Sequence, residues 1–205
     1  MKIAYGILAA LPLVAGAAPG WSQQYPAKTV RIVAPFAPGG TADTLGRTVA
    51  IKLTESLGQT FVVENRPGAG GVLGSDLVAK SAPDGYTLVV SGVASHAIAP
   101  ALAVKPPFDP VRDFTHIALL GGPPAVLGVH PSLPTKDLKA FVAFAKAKPG
   151  ELNYGSPGSG TQGHLVAELF QQMTAIKIVH VPYKGASIAV VDIVAGHIHA
   201  ISTTL

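Results

Sequence analysis

Two stretches of this chain set a glycine-rich turn between a β-branched run and an amphipathic run. No other feature narrows the fold so far. Thr29–Phe36 (TVRIVAPF) reads as a strand, and Thr41–Leu57 carries Leu45, Val49, Leu53 and Leu57 at helical spacing before a helix-ending Gly58. Between them lies Pro38-Gly39-Gly40-Thr41-Ala42-Asp43. The arrangement returns as a strand over Leu152–Ser156, the turn Gly155-Ser156-Pro157-Gly158-Ser159-Gly160, and a helix over Thr161–Met173. Further strands are expected at Thr60–Glu64, Tyr86–Ser91, Thr115–Leu120, Ala125–His130, Lys177–Val181 and Ile198–Thr203. Helices are expected at Val72–Lys80, Thr135–Lys148 and Gly185–Ala195. Alternation of this kind predicts an α/β fold with parallel-rich sheets, helices on both faces and right-handed crossovers. The unit is made twice. Residues 24–122 are expected to form one lobe and 123–205 a second, incomplete lobe that stops on a strand.

The N-terminus points to export. Lys2 precedes an uncharged apolar stretch from Ile3 to Ala18, and Ala15-Gly16-Ala17 offers small residues for cleavage, so residues 1–23 read as a secretory leader. The run falls short of the ~20 apolar residues needed to span a bilayer, and Pro12 interrupts it. The absence of cysteine excludes a thiol nucleophile, a thiolate zinc site and a disulfide framework. The net charge of +4 is scattered without a dense Lys/Arg patch, which argues against a nucleic-acid partner.

A glycine turn that opens a helix leaves backbone N–H groups uncovered at the positive end of the helix dipole. Both long turns therefore read either as anion sites or as ordinary capped turns. Facing each other beyond the carboxyl ends of their strands, they could hold one anionic ligand from two sides. Gly158-x-Gly160-x-x-Gly163 also fits a dinucleotide fingerprint, which gives a second reading as an NAD(P)- or FAD-dependent oxidoreductase. Against it, the next strand runs into Pro182-Tyr183 where an acidic residue should hold a ribose, and Asp192 lies inside the following helix. No serine sits in Gly-x-Ser-x-Gly, and the spacing of Ser156, His164 and Asp192 specifies no triad. His197-x-His199 suggests no third ligand, so neither a metal nor a cofactor is expected.

Several ordered motifs together resemble the Bug-type solute-binding proteins, the extracytoplasmic receptors of tripartite tricarboxylate transporters. They are Pro38-Gly39-Gly40-x-x-Asp43, Val63-Glu64-Asn65-Arg66-Pro67-Gly68-Ala69-Gly70-Gly71, Pro83-Asp84-Gly85-Tyr86-Thr87-Leu88 and the passage Pro106–Asp113. The second half adds Asn153-Tyr154-Gly155-Ser156 through Gly163-His164-Leu165, and Val181-Pro182-Tyr183-Lys184-Gly185. The resemblance implies a two-lobed, Venus-flytrap periplasmic binding fold of the type II kind. It further implies a non-enzymatic, monomeric receptor in the periplasm of a Gram-negative bacterium that delivers a small carboxylate to a membrane permease. It assigns ligand contacts to Phe36, Gly39, Gly40, Thr41 and Asp43, with Ser91 and His96 in addition. From the second lobe come Ser156, Gly160, Thr161 and His164, with Tyr183 and Asp192 in support and Ser202 at the last strand. Asp43 would organise its loop, or accept from a ligand amine or hydroxyl, rather than touch a carboxylate directly. Members of the family are longer and return to complete the first lobe, so a truncated chain is expected here. A non-binding fragment and a sensory binding protein are the further readings.

Overall fold

The computed structural model describes residues 24–204, and the leader assigned to residues 1–23 lies outside them. Two sheets organise the described chain. The first is built from β1 (Val30–Ala34), β2 (Phe61–Asn65) and β3 (Thr87–Val89), in the order β2-β1-β3 with every pairing parallel. β1 is central and nearly all buried, as an apolar run in a parallel sheet should be. Its crossovers are α1 (Thr41–Leu57) and α2 (Val72–Ala79), the latter entered through a 3-10 turn at Ala69–Gly71. The core beneath is small: Val30, Ile32, Ala50 and Phe61, flanked by Leu53, Val63, Tyr86, Leu88 and Val90.

The second sheet has the order β4-β7-β5-β6, from β4 (Ala125–Val129), β5 (Asn153–Ser156), β6 (Val179–Pro182) and β7 (Ala200–Thr204). β5 pairs in parallel with β6 and β7, and β4 runs antiparallel to β7 from Ala125↔Thr204 to Val129↔Ala200. α4 (Leu138–Ala147), α5 (Gln162–Thr174) and α6 (Ala186–Val194) connect these strands. Asp137 caps α4 by accepting from the Ala140 N–H at 2.7 Å. This core is larger, with Phe141, Ala145, Leu152, Tyr154, Ala167, Ile176, Ile178 and Ala200 all buried.

Three features depart from the sequence expectations. The β4–β7 pair is antiparallel: the two strands are not consecutive and no single crossover joins them, so the handedness rule for parallel pairs does not constrain them. Thr115–Leu120 forms no strand; it pairs with neither sheet and leaves Ile117 and Leu119 exposed. After β3 comes an unanticipated π-helical turn, Ala94–Ile98, which runs into α3 (Ala99–Leu102). Alanines in this stretch supply helix propensity without an amphipathic period to betray it. Among the described residues, no helix is long and apolar enough to cross a membrane.

Candidate functional site

A cavity of about 210 Å³ opens between the two sheets at the carboxyl ends of their parallel strands. Its walls are Phe36 after β1, Gly68–Gly71 after β2, Pro157–Ser159 after β5, and Pro182–Lys184 at the end of β6. This is where open α/β sheets place ligands. The two glycine loops approach closely: a Cβ built on Gly70 would stand 3.1 Å from the Ser159 carbonyl. Gly71 has φ +93° and is wedged between the Phe36 ring and Ser95, so a side chain there would meet both at 3.0–3.1 Å. Lys184 is the one formally charged residue of the lining, and it forms no ion pair among the described residues. Glycine-loop backbone, apolar side chains and one basic residue together suit a small organic anion.

The β1–α1 turn takes another place. Ala37 N–H donates to the Lys184 carbonyl at 3.2 Å, and Ser187 Oγ donates to the Pro38 carbonyl at 2.6 Å. The Thr41 and Thr204 hydroxyls meet at 3.1 Å. Gly39, Gly40 and Thr41 thus belong to the junction with α6 and β7, whereas Phe36 alone of this stretch lines the cavity. Buried Asp43 holds the turn together. Its Oδ2 accepts from Gly39 N–H at 2.9 Å and from Arg47 Nε at 3.0 Å; its Oδ1 accepts from Asn65 Nδ2 at 2.9 Å and pairs with Arg47 Nη2 at 2.9 Å. Burial pushes the Asp43 carboxyl up, but the Arg47, Gly39 and Asn65 hydrogen bonds and the Arg47 charge outweigh burial and leave it below its ordinary value.

The β5–α5 turn is tied by neutral groups. Fully buried Ser156 joins its Oγ to the Gly158 N–H and carbonyl, both at 3.2 Å, and to His180 Nε2 at 2.7 Å. Thr161, the N-cap of α5, donates its hydroxyl to the Gly158 carbonyl at 2.6 Å. Gly160 N–H donates to His164 Nδ1 at 3.1 Å. Ser156, Gly160, Thr161 and His164 therefore shape the turn, and Pro157–Ser159 is the part that faces the cavity. The dinucleotide-like spacing has a packing origin. Gly158 and Gly160 have φ of +137° and +73°, and a Cβ at Gly163 would run into the Ser202 carbonyl, so α5 lies directly on β7.

The remaining candidates scatter. Tyr183 lines the cavity and donates its hydroxyl to Asp192 Oδ2 at 2.6 Å; burial and this bond push its hydroxyl up to about 12. Asp192 Oδ1 also sits 3.3 Å from His197 Nδ1, and the Tyr183 and His197 bonds lower its carboxyl. It has no part in a triad with Ser156 and His164. His199 is bonded to Asn153. Ser91 is exposed in the loop after β3. The His96 ring packs on Phe108 and Phe114, with Nδ1 3.0 Å from Ser95 Oγ, and burial followed by the His116 charge lowers it. Ser202 is buried beneath Gly163. Sequence reasoning had passed over Gly68–Gly71 and Lys184 as cavity residues. The first was legible as a third glycine turn between a strand and a helix, by the same argument applied to the other two. The second follows only from where β6 ends.

Known proteins share this arrangement. A family profile described as the tripartite tricarboxylate transporter family receptor matches residues 45–205. Protein BugT of Bordetella pertussis is 43% identical over 186 residues, which are 90% of this chain and 57% of BugT. The structure of R. palustris Rpa4515 with adipate is 37% identical with a TM-score of 0.85, over 88% of this chain and 60% of that one. MatC (Rpa3494) from Rhodopseudomonas palustris with bound malate is 34% identical with a TM-score of 0.81, over 88% and 61% respectively. The chain spans about three fifths of the length of the relatives it matches.

Proposed function

The chain belongs to the receptor family of tripartite tricarboxylate transporters, and from that membership we propose that it captures a small carboxylate in the periplasm and presents it to a membrane permease. The observation that carries this reading is the cavity between the sheets, walled by Gly68–Gly71 and Pro157–Ser159 and charged only by Lys184. Backbone amides of the glycine loops and the one basic residue can hold a carboxylate there, by hydrogen bonds that a charged acceptor strengthens. The adipate and malate of the two Rhodopseudomonas structures support the same ligand class. The contacts proposed are Phe36, Gly70, Gly71, Ser159, Tyr183 and Lys184. Ser156, Thr161, His164 and Asp43 shape the loops around them, and Asp192 orients Tyr183. The protein acts by binding, without chemistry on its ligand.

Calorimetric titration of the chain with adipate, malate, acetate and NAD tests the reading. Saturable binding of at least one carboxylate, with none of NAD, is the expected result. Binding of NAD in place of carboxylates would return the oxidoreductase reading, and a folded chain that binds none of the four would remove the receptor reading.

A further inference from the structure

Two histidines lying face to face fasten the Ser156–Thr161 turn. His164, in the first turn of α5, and His180, on β6, stack with ring centroids 4.2 Å apart and planes 17° apart, and Tyr154 of β5 stacks with His180 at 4.9 Å. Each imidazole holds a different part of the turn. His164 Nδ1 accepts from the Gly160 N–H at 3.1 Å; His180 Nε2 meets Ser156 Oγ at 2.7 Å, and Ser156 meets both polar groups of Gly158. A backbone N–H donates only to a nitrogen that carries no proton. His164 is therefore the tautomer with its proton on Nε2, which lies 4.0 Å from Glu168 Oε1. A second proton, on Nδ1, would set two donors against each other and break the bond to Gly160.

Glu168, one turn along α5, is the carboxylate nearest His164, and its Oε1 also accepts from the Tyr154 hydroxyl at 2.7 Å and the Gln171 amide at 2.9 Å. Burial, then the Glu168 bond, pushes the Tyr154 hydroxyl up, so it remains a donor. β4 and β7, packed on α5, bring no titratable side chain, and the apolar Ile98 of the π-helical turn and Leu102 of α3 lie nearest Gly160. On β6, burial and the charge of His164 lower His180 to about 4, with Glu168 opposing. His180 thus stays neutral through most of the range where free imidazoles titrate.

We propose that the stacked pair is a neutral clamp that keeps the second glycine turn in its anion-binding form, and that acid releases the clamp at His164. The inference rests on the receptor reading of the cavity. His164 is a positioning residue: it holds the Gly160 amide and with it the path of Pro157–Ser159 along the cavity wall. His180 holds Ser156 and, through it, Gly158.

Two measurements test the clamp. In the ligand-free chain, the Gly160 amide resonance is followed from about pH 8 to about pH 5, the histidine range, beside the ring signals of His164. The amide is expected to titrate with that ring, and an amide that stays fixed while the ring titrates overturns the clamp whether or not any ligand binds. In the second, adipate and malate affinities are compared between the wild type and His164→Asn over the same range, so that protonation of the ligand cancels in the ratio. Asparagine offers its side-chain oxygen near the position of Nδ1 and does not titrate. It is expected to recover most of the affinity that His164→Ala loses at neutral pH, and to outbind the wild type by about tenfold at the acid end, the scale of one lost hydrogen bond. A ratio that is constant with pH overturns the clamp and leaves the receptor reading standing. A chain whose Gly160 amide titrates yet binds no carboxylate overturns the receptor reading, and with it the claim that the clamped form is the anion-binding one. His180→Gln, which keeps a polar group near Nε2, repeats the affinity comparison for the Ser156 side should His164→Asn fail to melt cooperatively.

Discussion

The β1–α1 turn is held by charge and the β5–α5 turn by neutral groups, although both are glycine turns that open a helix beyond a buried strand. In the first, the Asp43 carboxylate gathers Gly39, Arg47 and Asn65. In the second, hydroxyls and imidazoles gather Gly158 and Gly160. Their settings differ too. The first rests on a three-stranded parallel sheet with a small core and abuts α6 and β7, whereas the second lies on a four-stranded sheet over the larger core and faces the cavity. A turn that faces an anionic ligand gains from having no fixed carboxylate in it. A turn that only joins two units can be tied by one.

Acid should separate the two. Asp43 lies below the ordinary carboxylate value in the folded chain, so its contribution is present above about pH 4 and is lost only as pH falls through its depressed value. His180 is lowered to about 4, so its neutral form stabilises the fold above the ordinary histidine value near pH 6.5. That contribution declines between about pH 6.5 and about pH 4. The second turn is therefore expected to loosen first. Hydrogen exchange at Gly158 and Gly160 rising at a higher pH than exchange at Gly39 is the observation that checks it, and the reverse order breaks the comparison.

Substitutions sharpen the contrast, the largest effect first. Gly163→Ala drives a methyl into the Ser202 carbonyl and should cost about 3 kcal/mol in urea denaturation. Gly39→Ala would place its methyl in ordinary contact with Ser187 Cβ at 3.5 Å; at φ +79° left-handed strain is what opposes it, and it should cost about 1 kcal/mol. Equal losses at the two sites would erase the distinction between a turn set by packing and one set by backbone conformation. Asp43→Asn should cost about 2 kcal/mol near neutral pH, because a charged acceptor of several donors is lost. The difference from wild type should shrink below about pH 4 as the wild-type carboxyl protonates. Lys184→Met should weaken adipate binding about fivefold and leave the melting temperature in place, since the side chain is exposed and forms no ion pair among the described residues. The smallest effect is expected of Tyr183→Phe, which removes the hydrogen bond to Asp192 and should lower stability by less than about 1 kcal/mol.

Much of this was written in local residue patterns. The β-branched runs at Val30–Ala34 and Phe61–Asn65, the spacing of Leu45, Val49 and Leu53, and the glycines that end or open helices marked most of the elements and both long turns. Those patterns act over a few residues, so a single chain displays them. Local pattern could not say that β4 would run antiparallel, because strand direction is fixed by the partner and β4 pairs with β7, which is not its neighbour in sequence. For want of a partner, the apolar run at Thr115–Leu120 stayed outside both sheets.

The site divides along the same line. Glycine turns after strands offered candidate anion sites or ordinary capped turns, but which turns would face each other depended on how the two sheets meet. That junction, made by Ala37 with Lys184 and by Pro38 with Ser187, carries Gly39–Thr41 to the seam and brings Gly68–Gly71 opposite Pro157–Ser159. Sequence determined the class of chemistry, because backbone amides are exposed wherever glycines open a helix. Tertiary structure decided which amides share a cavity, that Lys184 is its charge, and that His180 stacks on His164, because these residues are far apart along the chain and meet only when the strands are packed.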